Sequence, residues 1–421
     1  MSNDGKKALT PKLRFPEFRS AEGWNTAPLE DIAERISTRN SDGAVTRVLT
    51  NSAEHGILDQ RDYFDKDIAT VGKVDNYFVV DIGDYVYNPR TSTIAPVGPI
   101  SRNNIGKGVM SPLYTVFRFF SKDTDFYEHY FKSTAWHAYL RSQASTGARH
   151  DRMSITPGAF MRMPVPTPSP AEQQKIADCL TSLDEVIAAQ GRKVEALKAH
   201  KKGLMQQLFP REGETLPRLR FPEFRNAGEW ESTPLASICK VQRGKFAHRP
   251  RNDPRFFNGP YPFIQTGDVV RADGGAVVAS QSLNELGLSV SKLFNPPVVL
   301  ITIAANIGDT AMLENDACFT DSVVGLIPQR DGVVPRFLEL VMRLKKGHLN
   351  QIATTGAQKN INNEILEALD VLIPHLAEQQ RIADCLSALD ARITAESRKL
   401  DALKLHKRGL MQQLFPSADR D

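Results

Sequence analysis

Basic and amide side chains gather in short segments of this chain that also contain glycine. One such segment, STGARHDRMS, starts at Ser145, and a similar one, TTGAQKNINN, starts at Thr354. A Thr-Gly turn followed by arginine, lysine, glutamine or asparagine presents backbone N–H groups and flexible donors, which suit contacts to phosphates and base edges. The alternative for either segment alone is an ordinary solvated loop. Because both halves of the chain carry one, a nucleic-acid contact is the favoured interpretation.

Motifs that would indicate catalysis are absent or incomplete in the sequence. NPPV at 295–298 resembles the start of the amide-binding motif of amino-methyltransferases, but a valine stands where that motif has an aromatic residue. The GK pair at 106–107 lacks the leading glycine and the following Ser or Thr of a P-loop, and HExxH, GxSxG and GxGxxG do not occur. We therefore expect no catalytic centre and no cofactor in this chain.

Composition limits the class of protein further. The 421 residues carry a formal net charge of +4, so nucleic-acid binding must come from local patches rather than from the whole chain. The four cysteines form no CxxC pair, and they predict reduced, buried thiols and no metal site. The first residues, MSNDGKKALT, lack the apolar core of a secretory signal, and no apolar run is long enough to span a bilayer. These features predict a cytoplasmic protein of two to three domains with no membrane segment.

The elements that must position the basic segments are written twice. AEQQKIADCL at 171–180 returns as AEQQRIADCL at 377–386, and LRFPEFR at 13–19 returns at 219–225. Both repeats are separated by 206 residues, so the repetition is held in register over half of the chain. The sequence is therefore two tandem halves.

The likeness between the halves is uneven. Residues 171–210 and 377–416 agree at 28 of 40 positions, whereas residues 30–168 and 236–374 show almost no correspondence. A stacked solenoid is not expected, because repeats of that kind are about 20 to 50 residues long. Each half is instead predicted to be a variable domain joined to a constant framework.

The constant part has the pattern of a long amphipathic helix. Apolar residues recur in alternating steps of four and three, which is the a/d seam of a coiled coil. Equivalent polar residues interrupt the two seams, Gln190 and Lys201 in one copy and Glu396 and Lys407 in the other. Two matching seams favour two helices packed antiparallel with internal two-fold symmetry over ordinary core helices. The apolar seam residues are Ile176, Leu180, Leu183, Ile187, Val194, Leu197, Leu204, Leu208, Ile382, Leu386, Leu389, Ile393, Leu400, Leu403, Leu410 and Leu414.

Signals for helix ends bound the constant part. Ser169, Pro170 and Glu172 supply an N-cap, a first-turn proline and the acidic member of a capping box. Pro210 and Pro416 end the two helices. About 40 residues at 1.5 Å each predict a rod of roughly 60 Å, which would hold two unlike domains at a fixed separation.

The variable parts have the mixed pattern of α/β domains. Short β-rich runs lie at 77–82, 113–119 and 298–303, and helical patterns lie at 126–141 and 335–349. We therefore expect each variable part to combine a sheet with helices.

These features together resemble the specificity subunit of a type I restriction-modification enzyme. The resemblance rests on two divergent domains, each followed by a nearly identical helix that opens with AEQQ(K/R)IADCL and closes with KGLMQQLFP or RGLMQQLFP. Further matches are VLTNSAEHGILDQRDYF, GDYVYNP and STIAPVGPI in the first domain, and HRPRNDPRF, PFIQTGDV and TIAANIGDTA in the second. The resemblance spans essentially the whole chain.

The resemblance implies a fold and a function. Two globular DNA target-recognition domains would be separated by a pair of long antiparallel coiled-coil helices with an internal pseudo-two-fold repeat, in a mixed α/β (α+β) chain. Each domain would read one half of a split, asymmetric target in double-stranded DNA, and the helices would dock two copies of a methyltransferase subunit. Restriction or translocase subunits would complete the complex, and the S-adenosylmethionine site would lie in the methyltransferase. The predicted boundaries are 1–168 for the first recognition domain, 169–210 for the central helix, 211–218 for a linker, 219–373 for the second recognition domain, 374–416 for the C-terminal helix and 417–421 for a tail.

Candidate DNA contacts follow from the matching segments. In the first domain they are Arg90, Thr91, Arg102, Lys107, Gly147, Arg149, His150 and Arg152, and in the second they are Arg243, Lys245, His248, Arg249, Gln265, Thr266, Gly356, Gln358, Lys359 and Asn360. Two other functions stay open at this point, a coiled-coil scaffold without a DNA role and a stand-alone DNA-modifying enzyme. A scaffold does not explain why constant helices carry divergent domains with basic loops, and an enzyme should contain the missing motifs.

Overall fold

The computed structural model describes residues 9–63, 74–144, 151–304, 306–329, 332–355 and 361–416. Its helices are α1 Gln60–Tyr63, α2 Asp125–Phe131, α3 His137–Gln143, α4 Pro157–Met161, α5 Pro170–Leu208, α6 Leu235–Ile238, α7 Thr266–Ala272, α8 Glu285–Ser289, α9 Pro335–Thr355, α10 Asn363–Glu367 and α11 Leu376–Leu414. Its strands are β1 Asn25–Pro28, β2 Ala33–Ile36, β3 Leu49–Ser52, β4 Gly56–Asp59, β5 Phe78–Val80, β6 Tyr85–Tyr87, β7 Ile100–Arg102, β8 Gly108–Met110, β9 Thr115–Phe119, β10 Pro164–Thr167, β11 Glu231–Pro234, β12 Cys239–Arg243, β13 Phe257–Ile264, β14 Gln281–Leu283, β15 Leu293–Phe294, β16 Val298–Thr302, β17 Thr310–Leu313, β18 Ala317–Phe319, β19 Val323–Pro328 and β20 Asp370–Ile373.

The chain divides into two compact units. The first contains residues 1–192 and 397–421, and the second contains residues 193–396. Each unit therefore includes the beginning of one long helix and the end of the other. The mixed α/β fold with long helices is the one that the sequence predicts.

The first unit is built on a four-stranded antiparallel sheet with the strand order β2-β9-β6-β7. Its core is rich in aromatic rings, and Tyr85 stacks on Phe117 at 5.5 Å between ring centroids. The helical pattern at 126–141 was expected to give one helix, but the structure has α2 and α3 with a break between them. Ser133 causes a local turn there, because its hydroxyl donates to the carbonyl of Tyr130 and accepts from the N–H of Ala135.

The second unit repeats the sheet order of the first. Strands β12-β19-β16-β17 form its antiparallel sheet. As in β2-β9-β6-β7, the strand that comes first in the chain lies at one edge, the strand that comes last lies next to it, and the two intermediate strands follow. A second sheet, β14-β13-β18-β15, is present in this unit as well. The two domains are therefore less unlike than their sequences suggest, because short buried strands tolerate different apolar residues at the same topological position.

A two-stranded ribbon frames the variable part of each unit. In the first unit β1 pairs with β10, with Asn25 opposite Thr167, and in the second unit β11 pairs with β20, with Glu231 opposite Ile373. These pairs are related by the 206-residue repeat. The same frame thus carries two different sets of loops.

Within each unit, the long-helix segments pack antiparallel. In the first unit Ile176 and Leu180 of α5 share a core with Met411 and Leu414 of α11. In the second unit the end of α5 and the beginning of α11 meet in the same way. Each predicted seam residue is buried or half-buried, as an a/d seam requires.

The two lysines that interrupt the seam are paired with acidic side chains. Lys407 donates to Asp184 in the first unit, and Lys201 donates to Asp390 in the second. Each lysine and each aspartate is 206 residues from its counterpart. The antiparallel arrangement is what places a lysine near the end of one helix beside an aspartate near the beginning of the other.

An ionic clasp ties LRFPEFR to AEQQ in both units. In the first unit Arg14 donates from Nε and Nη2 to the two carboxylate oxygens of Glu172, each at 2.7 Å, with side chains only 8% and 2% exposed. Lys175 pairs with Glu17 at the surface, 3.1 Å apart. The capping-box role predicted for Glu172 is therefore wrong. Ser169 does accept from the N–H of residue 172, but the carboxylate is taken by a distant arginine.

We call Arg14, Glu17, Glu172 and Lys175 the framework clasp, and the second unit has an equivalent one. Arg220 donates to Glu378 with the same two 2.7 Å bonds, and Arg381 pairs with Glu223 at 3.1 Å. The two repeated motifs therefore recur together because they bind each other.

The four cysteines differ in their burial. Cys239 and Cys318 are buried, whereas Cys179 and Cys385 are half-buried, which corrects the prediction that all four are buried. All four are free thiols, and burial raises the pKa of Cys239 to about 12. Among the described residues, no helix has both the length and the apolar character needed to cross a membrane.

Candidate nucleic-acid interface

Three arginines of the second unit converge on one aspartate. Arg243, which ends β12, donates to the backbone carbonyl of Asp321. Arg251 donates to the Asp321 carboxylate at 2.6 Å, and Arg249 lies 3.5 Å from the same oxygen. Three positive charges around one carboxylate leave a net positive patch, which suits a phosphate backbone.

A glycine allows this loop to approach the neighbouring strand end. A Cβ on Gly244 would lie 2.3 Å from the carbonyl oxygens of both Phe319 and Thr320, a distance that no side chain tolerates. The N–H of Lys245 then donates to the Phe319 carbonyl at 3.1 Å, and its side chain is exposed. The segment RGK therefore places the basic side chains of Arg243 and Lys245 at the arginine patch, which is the cluster of three arginines around Asp321.

His248 is held by contacts within its own loop. Its ring stacks on Phe256 with centroids 4.0 Å apart, and its Nε2 lies 3.1 Å from the Asp253 carboxylate. Hydrogen bonds from Arg255 hold the pKa of Asp253 well below its usual range. His248 is therefore half-buried and already engaged, and a DNA contact through it stays a prediction.

Two glutamines lie beside the arginine patch. Gln265 precedes α7, of which Thr266 is the first residue, and its Nε2 donates to Oε1 of Gln281 at 3.0 Å. Both contribute to a cleft of about 450 Å³ that Arg251 and Asn252 also line. The sequence analysis did not identify Gln281 or Asn252. Arg251 and Asn252 lie within HRPRNDPRF, so that segment could have indicated them.

In the first unit, two of the predicted segments meet. Arg90 and Arg152 face each other in an isolated antiparallel bridge. The N–H of Thr91 donates to the carbonyl of Asp151 at 3.0 Å, and Arg90 is exposed. The structure thus brings together basic residues that are about 60 positions apart in the sequence.

Arg102 and Lys107 have acidic partners within the same unit. Arg102 lies 2.5 Å from Asp125 and 3.7 Å from Glu128, and Lys107 lies 3.5 Å from Asp81. These carboxylates offset the charge that a phosphate would otherwise meet. A DNA contact through either residue stays a prediction.

The remaining candidates fall on segments outside the described residues. They are Gly147, Arg149 and His150 in the first half, and Gly356, Gln358, Lys359 and Asn360 in the second.

Comparison with known proteins identifies a domain family for the second half of the chain. Residues 227–405 match the family model described as the type I restriction modification DNA specificity domain. Two curated relatives from Methanocaldococcus jannaschii are a putative type I restriction enzyme MjaX specificity subunit, 23% identical over 270 residues, and the type I restriction enzyme MjaVIII specificity subunit, 22% identical over 294 residues. Residues 227–405 therefore carry the type I restriction modification DNA specificity domain. The matches cover 63% and 66% of this chain, and 61% and 66% of the two relatives.

Two solved structures share the fold of this chain. A chain from a study of complex assembly and conformational transition in the type I R-M system has a TM-score of 0.58 at 18% identity, covering 94% of this chain and 98% of its own length. The type I restriction-modification S subunit from M. genitalium has a TM-score of 0.56 at 12% identity, covering 97% of this chain and 100% of its own length. Both therefore share its architecture along nearly the entire chain.

Proposed function

We propose that this chain is the specificity subunit of a type I restriction-modification complex, the component that reads the DNA sequence, and that its target is bipartite and asymmetric. Each recognition domain would contact one half-site. The observation that carries this proposal is the repeated frame. The same ribbon, sheet order and framework clasp recur after 206 residues, but the loops on them differ.

A repeated frame with different loops suits two readers of different sequences. The frame fixes how each domain is attached, whereas base contacts depend on the loops. The arginine patch and the amide pair of the second unit supply the two kinds of group that such a reader needs, cations for phosphates and amides for base edges.

The partners follow from the two-fold framework. Two equivalent helix ends and clasps offer two equivalent surfaces, which fits docking of two copies of a methyltransferase subunit. Restriction or translocase subunits would join through that complex. The chemistry would belong to these partners, with S-adenosylmethionine bound by the methyltransferase, and the specificity subunit itself would be non-catalytic.

Methylome sequencing tests this function in cells. Deletion of the gene for this chain should abolish methylation at one bipartite motif, while the methyltransferase protein is still made. Re-expression of the chain should restore methylation at the same motif. Persistence of every methylated motif after deletion would contradict the proposal, and so would robust methylation of DNA by the highly purified chain alone.

A further inference from the structure

The side-chain amides of Gln265 and Gln281 form a directed pair at the rim of the cleft in the second unit. Gln265 follows β13 and Gln281 opens β14, and these strands are hydrogen-bonded neighbours. The Nε2 of Gln265 donates to Oε1 of Gln281. This bond fixes which end of each amide is oxygen and which is nitrogen. The Oε1 of Gln265 also accepts from the N–H of Asp268 in the capping box of α7, which leaves it one lone pair. That lone pair and the Nε2 of Gln281 are therefore the acceptor and donor that the pair can offer to a ligand.

A buried carboxylate holds both glutamines in place. The side chain of Asp268 is fully buried, and its Oδ2 accepts from the N–H of Gln265 at 2.8 Å. The same oxygen accepts from the N–H and the hydroxyl of Ser280, at 3.2 and 3.1 Å. Ser280 immediately precedes Gln281, so one buried group anchors both backbone segments. A pair anchored in this way is preorganised, as a group that reads sequence must be.

The cleft beside the pair combines an aromatic wall with polar groups. Phe246 and Phe263 lie 5.1 Å apart between ring centroids and line it, and Arg251 and Asn252 contribute cationic and amide groups. Its volume of about 450 Å³ leaves room for the edge of a base pair.

The donor and acceptor of the pair match one base edge in the major groove. Adenine presents N7 as an acceptor next to the N6 amino group as a donor, whereas guanine presents two acceptors. Thymine offers an acceptor and a methyl group, and cytosine offers a donor. We propose that the Gln265–Gln281 pair reads an adenine in the half-site bound by the second domain. This inference rests on the proposed DNA-reading function and makes it specific to one base.

Gln281→Glu is the sharpest variant. The glutamate retains an oxygen that can accept from Gln265, so the internal bond is preserved, but it loses the N–H donors that would meet adenine N7. Gln281→Met removes the donors without adding charge. Gln329 offers a matched control for both, because it is an exposed glutamine just beyond the far end of β19 from Asp321.

The assay is selection of duplexes from a random-sequence pool by the full chain bound to its methyltransferase partner. The wild type should select adenine at one position of one half-site. Both Gln281 variants should reduce that preference by roughly 5- to 150-fold, the range for one good base contact, and leave the other positions unchanged. Gln329→Glu and Gln329→Met should select the wild-type motif.

Three results would overturn the inference. An unchanged adenine preference in both Gln281 variants would exclude the pair as a reader. An equal loss of affinity for every sequence, beyond that of the Gln329 controls, would instead assign it to the DNA backbone. Failure of the wild-type complex to select any motif would overturn the DNA-reading function and this inference together, whereas the first two results leave that function intact.

Discussion

Glu172→Ala should destabilise the first unit strongly, because it removes one partner of the buried pair in the framework clasp. Two hydrogen bonds of 2.7 Å join Glu172 to Arg14, and both side chains are at least nine-tenths buried. Loss of one partner from a buried ion pair costs about 3–5 kcal/mol, since the other charge is left desolvated and unpaired. We expect a decrease of that size in the free energy of unfolding.

The clasp contains its own control. Glu17 pairs with Lys175 across the same two segments, but the side chains are 46% and 49% exposed. Exposed pairs contribute about 0–1 kcal/mol, so Glu17→Ala should have little effect. The double substitution of Arg14→Met with Glu172→Leu should recover most of the stability, because an apolar pair of similar size leaves no buried charge.

Urea unfolding followed by tryptophan fluorescence measures these changes. The chain has three tryptophans, and in a Trp230→Phe background Trp24 and Trp136 report on the first unit. With a slope of about 2.5 kcal/mol per molar urea, the Glu172→Ala midpoint should fall by about 1–2 M. A loss no larger than that of Glu17→Ala would refute the role assigned to the buried pair.

Three other perturbations have defined outcomes. Burial lowers the pKa of His129 to about 4. As the pH falls below about 6.5, this histidine is therefore protonated in the unfolded chain but not in the folded one, and the free energy of unfolding should decrease until the pH reaches about 4. In His129→Gln this decrease should be smaller by about 3 kcal/mol, as measured by urea titrations at several pH values. The same dependence of stability on pH in the variant and the wild type would contradict this. Lys407→Ala should lower the free energy of unfolding by about 1.5 kcal/mol. Lys201→Ala should lower it less, because Asp390, the partner of Lys201, also accepts from Arg336 at 2.7 Å. Equal shifts of the urea midpoint in the two variants would argue against this. Arg251→Ala should lower the slope of log affinity against log salt by about 0.9 in anisotropy titrations with target DNA, and an unchanged slope would return Arg251 to a purely structural role.

The sequence predicted the framework better than its internal contacts. The long helices could be predicted because the four-and-three spacing of their apolar residues can be read directly from the sequence. The repeat after 206 residues is visible there too. The role of Glu172 was misjudged, because its partner Arg14 lies 158 residues away and no local pattern indicates such a contact. The shared sheet order was also missed, since different apolar residues occupy equivalent short strands.

The candidate interface was predictable only in part, for a similar reason. Gln265 was found within PFIQTGDV, but Gln281 enters the cleft through the pairing of β13 with β14. Arg102 looked available in the sequence, yet folding places it beside Asp125 and Glu128. Composition identifies basic loops, whereas the fold decides which charges are already neutralised.

Domain exchange tests the central claim most directly. Residues 30–168 would be replaced by the corresponding domain of a specificity subunit with a different target, with strand β1, the framework clasp and the long helices retained. The chimera would be expressed with the methyltransferase, and its methylated motif would be determined by methylome sequencing. Two independent readers on one repeated frame predict that one half-site changes to that of the donor and the other stays as it was. A simultaneous change of both half-sites, or retention of the complete original motif by an active chimera, would contradict the account.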